Sequence, residues 1–308
     1  QGVVIAFDPI LRAPSVSSDF TPDVVLRVGE PPASKVLAQW VAASGAEVIQ
    51  IQPHEGVIDP DHLTHVSYVG NISRTCGELA TRVKSVDSLW RSKWQAAETS
   101  AQRAISEWTK ENFSEPSVVR VITDELSPGT NLVVSSSMPI RDVEWFGTVT
   151  PGVKVYSNRG ANGIDGVVST AVGIAIGSNM PTNLLIGDVA FLHDINGLIA
   201  LPSRNIDLNV LVTNNDGGSI FSFLPQGTAV DTDSFEKIYG TPHGVVLRDL
   251  ASAYGLHYID ASNEVNDAAS AVSRKGCNLV EIRCDRDVNV RLHNQLNEAV
   301  VEAVESTV

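Results

Sequence analysis

The chemistry most easily read from this sequence lies at two residues, Asp188 and Asn215. Each stops a short apolar run: Asp188 follows Leu184–Ile186 and Gly187, and Asn215 follows Leu208–Thr213 and Asn214. Between them, Phe191–Leu201 places apolar residues at i, i+1, i+4, i+7 and i+8, which predicts a helix. A strand–helix–strand crossover brings residues 27 positions apart side by side. A carboxylate, an amide oxygen and the carbonyl of the nearby Gly217 are hard ligands. They suit Mg²⁺, which takes few protein ligands, keeps some water and shares phosphate oxygens. In open α/β sheets such ligands gather at the carboxyl ends of the strands. The rival explanation is an ordinary α/β unit in which Asp and Asn only cap.

Two arginines, Arg141 in SSSMPIRD and Arg159 in SNRGANG, fall just past predicted strands on the same rim. A guanidinium binds a carboxylate through two parallel hydrogen bonds, although most arginines at such positions are simply solvated. The helix predicted over Asp165–Ile176 follows Gly160-Ala161-Asn162-Gly163, so its amino end offers free N–H groups to an anion. His54, His62 and His65 lie in a stretch rich in Asp and Pro. No cysteine or ordered carboxylate completes a zinc set there, and a solvated loop is the better reading.

Positioning these residues requires a particular order of elements. Val3–Phe7 reads as a strand, Pro9–Phe20 as a loop and Asp23–Gly29 as a buried strand. Ala33–Ala43 is a helix and Glu47–Gln52 a strand, giving a βαβ unit whose Gly29-Glu30-Pro31-Pro32 turn lacks the GxGxxG of nucleotide sites. Ser85–Asn112 is a long helix with Val86, Leu89, Trp90, Trp94, Ala97, Ala101, Ile105 and Trp108 on one face, a packing stripe. Glu115-Pro116 punctuates the chain, and a domain boundary is expected near Asn112–Pro116. Strands at Asn131–Val134, Lys154–Tyr156, His257–Asp260 and Asn278–Cys284 then alternate with helices at Val245–Tyr254, Glu264–Lys275 and Asp287–Val304. Asp231–Gly240 reads as a polar loop. The alternation predicts a parallel, doubly wound sheet.

The 308 residues carry 22 basic and 36 acidic side chains, a net charge of −14, which argues against nucleic-acid binding. Cys76, Cys277 and Cys284 form no CxxC pair and suit a reduced, cytoplasmic setting. No apolar run reaches the ~18 residues of a membrane span. A start at Gln1, running at once into an apolar segment, suggests a cut chain.

Gly187-Asp188, a helix and Asn214-Asn215 together resemble the diphosphate and metal motif of thiamine-diphosphate enzymes. GDVAFLHDINGL, NNDGGSIFSFLP and SNRGANGIDGVVSTAVG, in their order, resemble the MenD-type synthases of menaquinone biosynthesis. Val189 stands where many thiamine enzymes have Gly, in keeping with that branch. The resemblance implies two Rossmann-like parallel-sheet domains, a middle domain over 1–112 and a diphosphate domain over 116–308. It implies thiamine diphosphate held with Mg²⁺ or Mn²⁺ by Asp188, Asn215 and Gly217. Gly187, the N–H groups of Val189 and Ala190, Gly218, Ser219 and Ile220 would line the cofactor. Ser137, Asn162, Gly163 and Ile164 would contact its rings, Ile164 as the wedge that keeps it bent. Arg141, Arg159, Phe221 and Leu224 would meet the substrates, 2-oxoglutarate and isochorismate. The activating glutamate belongs to an N-terminal pyrimidine-binding domain of a second subunit in a homodimer or homotetramer. Nothing here matches that domain, so no catalytic residue is assigned and the chain alone is expected to be inactive. Another thiamine-dependent carboligase, or a non-catalytic cofactor-binding fragment, are the alternatives.

Overall fold

The computed structural model describes residues 2–56, 59–84, 88–158, 163–199 and 201–308. The chain forms two compact units, Gln1–Ala104 with Asn297–Val308, and Ile105–Leu296. Both are α/β with wholly parallel sheets.

In the first unit, α1 (Phe7–Leu11) and α2 (Pro14–Asp19) occupy the segment read as strand and loop. Residues 2–6 have no regular structure. Pro9 in the first turn of α1 and Pro14 at the start of α2 explain the difference, because proline's fixed φ suits a helix start. Strand β1 (Val24–Val28), helix α3 (Lys35–Ser44) and strand β2 (Glu47–Gln52) form the expected βαβ unit. Ser34 caps α3 by accepting the Leu37 N–H at 2.9 Å, and Gly45 ends it at φ +67°. Strand β1 is not buried on both faces as expected. It is an edge strand, and Val24, Leu26 and Val28 are exposed. The segment read as a histidine loop runs into β3 (Thr64–Val69), followed by α4 (Ile72–Arg82). His65 lies in β3, where its Nδ1 accepts the Val48 N–H at 3.1 Å. Helix α5 (Leu89–Glu111) buries Trp94, Ala97, Ala101 and Ile105, but Leu89 and Trp90 are exposed. Trp94 makes edge contacts with Phe20, Trp40 and Trp90. The division between units falls inside α5.

The second unit holds the site. Helix α6 (Glu115–Glu125) leads to β4 (Asn131–Val134), α7 (Met138–Phe146), β5 (Lys154–Ser157), α8 (Val167–Ser178) and β6 (Thr182–Gly187). Next come α9 (Asp188–His193), β7 (Leu208–Asn214), α10 (Gln226–Ala229) and α11 (Thr232–Phe235). Helix α12 (Leu247–Ala253), β8 (His257–Asp260), α13 (Val265–Ala271), β9 (Cys277–Arg283) and α14 (Arg286–Glu305) close the order. The strands lie β5-β4-β6-β7-β9-β8. Leu184, Ile186, Val210 and Val212 pack into one core cluster, while Leu185 and Leu211 pack into another. This two-sided burial explains why β6 and β7 read as continuous apolar runs.

Two local readings change. The helix expected over Phe191–Leu201 instead begins at Asp188, ends at His193 and gives way to a 3₁₀ turn at Ile195–Leu198. Asp194 interrupts it, its carboxylate accepting the Ser169 backbone N–H at 2.7 Å and the Ser169 hydroxyl at 2.9 Å at the start of α8. The segment read as a loop over Asp231–Gly240 is helical, α11 running on into a π-type turn at Glu236–Gly240. Asp231 caps it by accepting the Ser234 N–H at 3.0 Å.

Candidate functional site

Between β4 and β6 the order of strands reverses direction, which in an open parallel sheet opens a crevice at the carboxyl ends. A cavity of about 490 Å³ lies there. From the end of β4 come Ser136, Ser137, Met138 and, one turn into α7, Arg141. Ser137 is held at φ +79°, a backbone conformation that side-chain-bearing residues rarely adopt and that tends to mark functional sites. From the end of β6 come Gly187, Asp188, Val189 and Ala190, and from β7 Thr213, Asn215, Gly217, Gly218, Ser219, Ile220 and Phe221. Gly163 and Ile164 complete the wall before α8. Arg159 and Asn162 lie outside the described residues. Leu224 does not line this cavity; it ends the 3₁₀ turn Ser219–Phe223 and is exposed.

The register pairs Gly187 with Thr213, so Asp188 meets the loop after β7. Asp188 is 1% exposed. Its Oδ1 accepts the Val189 N–H at 2.7 Å, so that N–H is engaged by the carboxylate rather than turned outward as expected. Its Oδ2 accepts the Gly217 N–H at 2.9 Å and lies 3.2 Å from His243 Nε2. Burial raises the Asp188 carboxyl above its usual range, against the pull of the Gly217 and Val189 N–H groups and His243.

The loop from Asp216 to Gly218 needs glycine. Gly217 sits at φ +146°, and a Cβ there would run into the Gly240 carbonyl; one at Gly218 would meet the Tyr239 carbonyl. The Gly217 carbonyl accepts the Ser219 N–H at 3.1 Å, and a carbonyl oxygen keeps a second lone pair.

Asn215 is bonded through one half of its amide. Its Nδ2 donates to Glu115 Oε1 at 2.8 Å. Its Oδ1 is buried and accepts no hydrogen bond, which leaves its lone pairs able to serve a cation. Asp188, Asn215 and the Gly217 carbonyl therefore offer oxygens that fit a hard cation. Among the described residues, no group of three His, Cys, Asp or Glu side chains could hold a metal.

Two residues here escaped the sequence reading. Glu115, taken only as punctuation, lines the cavity and is 2% exposed. Burial and the Asp142 carboxylate push its carboxyl up to about 7, against His293, Asn215 and Asn289. Behind it His293 Nε2 lies 2.9 Å from Asp142 Oδ1, both side chains buried. Burial lowers the His293 pKa, but Asp142 outweighs it and holds the imidazole above its usual value. His243 is the second, reaching Asp188 from a loop that Asp216 Oδ1 ties down by accepting its N–H at 3.0 Å and that of Gly244 at 2.8 Å. Neither belongs to a local motif, and only long-range packing brings them in.

The chain matches two family models: the middle domain of thiamine pyrophosphate enzymes over residues 2–134 and their C-terminal thiamine-pyrophosphate-binding domain over residues 148–282. The chain thus carries the middle and C-terminal domains of thiamine pyrophosphate enzymes. It is similar to 2-succinyl-5-enolpyruvyl-6-hydroxy-3-cyclohexene-1-carboxylate synthases, the MenD type. The one from Lysinibacillus sphaericus is 36% identical over 96% of this chain and 52% of its own length. That from Chloroflexus aurantiacus is 38% identical over 97% and 52%, and that from Rubrobacter xylanophilus 39% over 89% and 49%. The chain spans about half the length of the curated relatives it matches. Among the described residues, no helix is long and apolar enough to cross a membrane.

Proposed function

We propose that the chain is the middle and diphosphate-binding part of a cytoplasmic carboligase that decarboxylates 2-oxoglutarate and adds the succinyl unit to isochorismate, using thiamine diphosphate and Mg²⁺. The observation that carries this reading is the buried, unpartnered Asn215 Oδ1 in the same cavity as the Asp188 carboxylate. In it, Asp188, Asn215 and the Gly217 carbonyl hold the cation and, through it, the diphosphate. Bound there, the cofactor supplies the electron sink for the bonding pair released as CO₂ leaves a 2-oxo acid.

The chain's own residues then do the positioning. Ile164, which lines the cavity, would be the apolar wedge beneath the cofactor. Ile220 and Phe221 give the cavity an apolar wall that keeps water from the reacting carbons. Arg141 lines the cavity, its Nη1 donating to the Ser137 carbonyl at 2.6 Å, and in this reading it would meet a substrate carboxylate. The activating glutamate and the pyrimidine side of the cofactor come, in this reading, from an N-terminal domain of a second subunit, in a homodimer or homotetramer.

Titration calorimetry of thiamine diphosphate with Mg²⁺ and with EDTA tests the cofactor half. Binding that ignores Mg²⁺ would sink the metal assignment. With the N-terminal domain supplied, the reading expects isochorismate-dependent consumption of 2-oxoglutarate. A preference for pyruvate would turn the assignment to a different carboligase.

A further inference from the structure

We propose that Glu115 is the positioning residue for the cation site, acting through the Asn215 amide; the inference rests on the metal reading above and adds a residue to it. A side-chain amide has two ends of nearly the same shape, and only the oxygen serves a hard cation. Rotation by half a turn would present the NH₂ group instead, so something must choose. Glu115 chooses. Its Oε1 accepts from Asn215 Nδ2 at 2.8 Å, which leaves Oδ1 as the end without a partner. With Glu115 ionised, the reversed amide would set its oxygen against the carboxylate and lose that hydrogen bond.

The chooser is itself fixed. Glu115 occupies the first position of α6, between the capping Ser114, which accepts the Ser117 N–H at 3.2 Å, and Pro116. The Asn289 side chain from α14 also bonds it, and Asn289 donates on to Ser219 Oγ at 3.1 Å. Asp142 from α7 and His293 from α14 are the charged groups facing it. With 2% exposure, Glu115 cannot turn away into water. The fold thus leaves a buried carbonyl oxygen unpaired by means of a second buried group 100 positions away.

The test is a double-mutant cycle on this chain, with Mn²⁺ as the probe, read by electron paramagnetic resonance in the presence of thiamine diphosphate. Glu115→Ala is expected to weaken Mn²⁺ binding about tenfold, and Glu115→Gln, whose carbonyl still accepts from Asn215, to recover most of it. In an Asn215→Ala background, Glu115→Ala should have no further effect. Circular dichroism melts confirm that each variant folds. Wild-type affinity in a folded Glu115→Ala, or losses that add in the double variant, would overturn the proposal. Nuclear magnetic resonance of the Asn215 side-chain amide separates its failure from failure of the metal reading. A protected NH₂ in metal-free wild type, lost in Glu115→Ala, supports the contact even where Mn²⁺ fails to bind. An unprotected one refutes the positioning role while leaving the metal assignment standing.

Discussion

One asparagine, Asn209, stands near the amino end of β7 and another, Asn215, just past its carboxyl end, and the two are treated in opposite ways. At the amino end Asn209 is 1% exposed and bonded through both halves of its amide. Its Nδ2 donates to Asn183 Oδ1 and the Val272 carbonyl, each at 3.1 Å, and its Oδ1 accepts from Asn278 Nδ2 at 2.8 Å. The register sets Asn183, Asn209 and Asn278 side by side on β6, β7 and β9, so the amides tie three neighbouring strands together. Past the carboxyl end Asn215 is bonded through nitrogen alone, and its oxygen accepts no hydrogen bond in a cavity wall. One amide closes the structure; the other leaves a valence for something else. The same sheet is therefore fastened at one end and poised for a ligand at the other.

The largest effect that sharpens this contrast is Asp188→Ala. It should abolish Mg²⁺-dependent thiamine-diphosphate binding, by a hundredfold or more, and lower the melting temperature as the Val189 and Gly217 N–H groups lose their acceptor. Calorimetry with and without Mg²⁺ measures it, and retained affinity would break the contrast at the ligand end.

Glu115 makes the ligand end sensitive to pH. Its carboxyl rises from 4.5 to about 7 in the folded chain, so the native state holds the proton more tightly than the unfolded one. That contribution to stability is fully present below pH ~4.5 and is lost as pH rises towards ~7, a swing of roughly 3 kcal/mol. Urea unfolding between pH 5 and 8 should show this fall in the wild type and lack it in Glu115→Gln. Parallel curves for the two proteins would mean that Glu115 titrates normally.

At the fastened end, Asn209→Ala leaves the Asn183 oxygen and the Val272 carbonyl short of a partner. Such losses cost about 2 kcal/mol. Chemical denaturation should register them, with cofactor affinity in the remaining folded protein unaltered. The smallest effect is expected at Leu224, exposed and outside the cavity. Leu224→Ala should change stability by less than about 0.5 kcal/mol and, with the N-terminal domain supplied, leave substrate KM untouched. A raised KM would return it to the substrate wall.

The contrast also marks what the sequence could reveal. Asp188 and Asn215 were legible because each ends an apolar run, and parallel pairing does the rest. The arrangement of β6 and β7 followed from the same runs, whereas the helix between them starts and ends earlier than its apolar spacing predicts. Glu115 was not legible: its partner is 100 positions distant, and Glu-Pro at a helix start is indistinguishable from punctuation. His243 reaches Asp188 from a loop with no periodicity at all. In the smaller sheet, β1 has the composition of a buried strand, yet its position at the edge exposes alternate side chains. Composition reports what a strand can bury, while neighbours decide what it does bury.

The 100-residue span of the Glu115–Asn215 bond has a consequence in time. Strands β4, β6 and β7 must pair in parallel through long crossovers before α6 can deliver Glu115, and contacts of such separation are slow to form. The cavity is thus a late event in folding rather than a seed of it. The Gly217 amide, buried and bonded to Asp188, should be among the last to gain protection in a pulsed hydrogen-exchange refolding experiment, after the amides in the middle of β6 and β7.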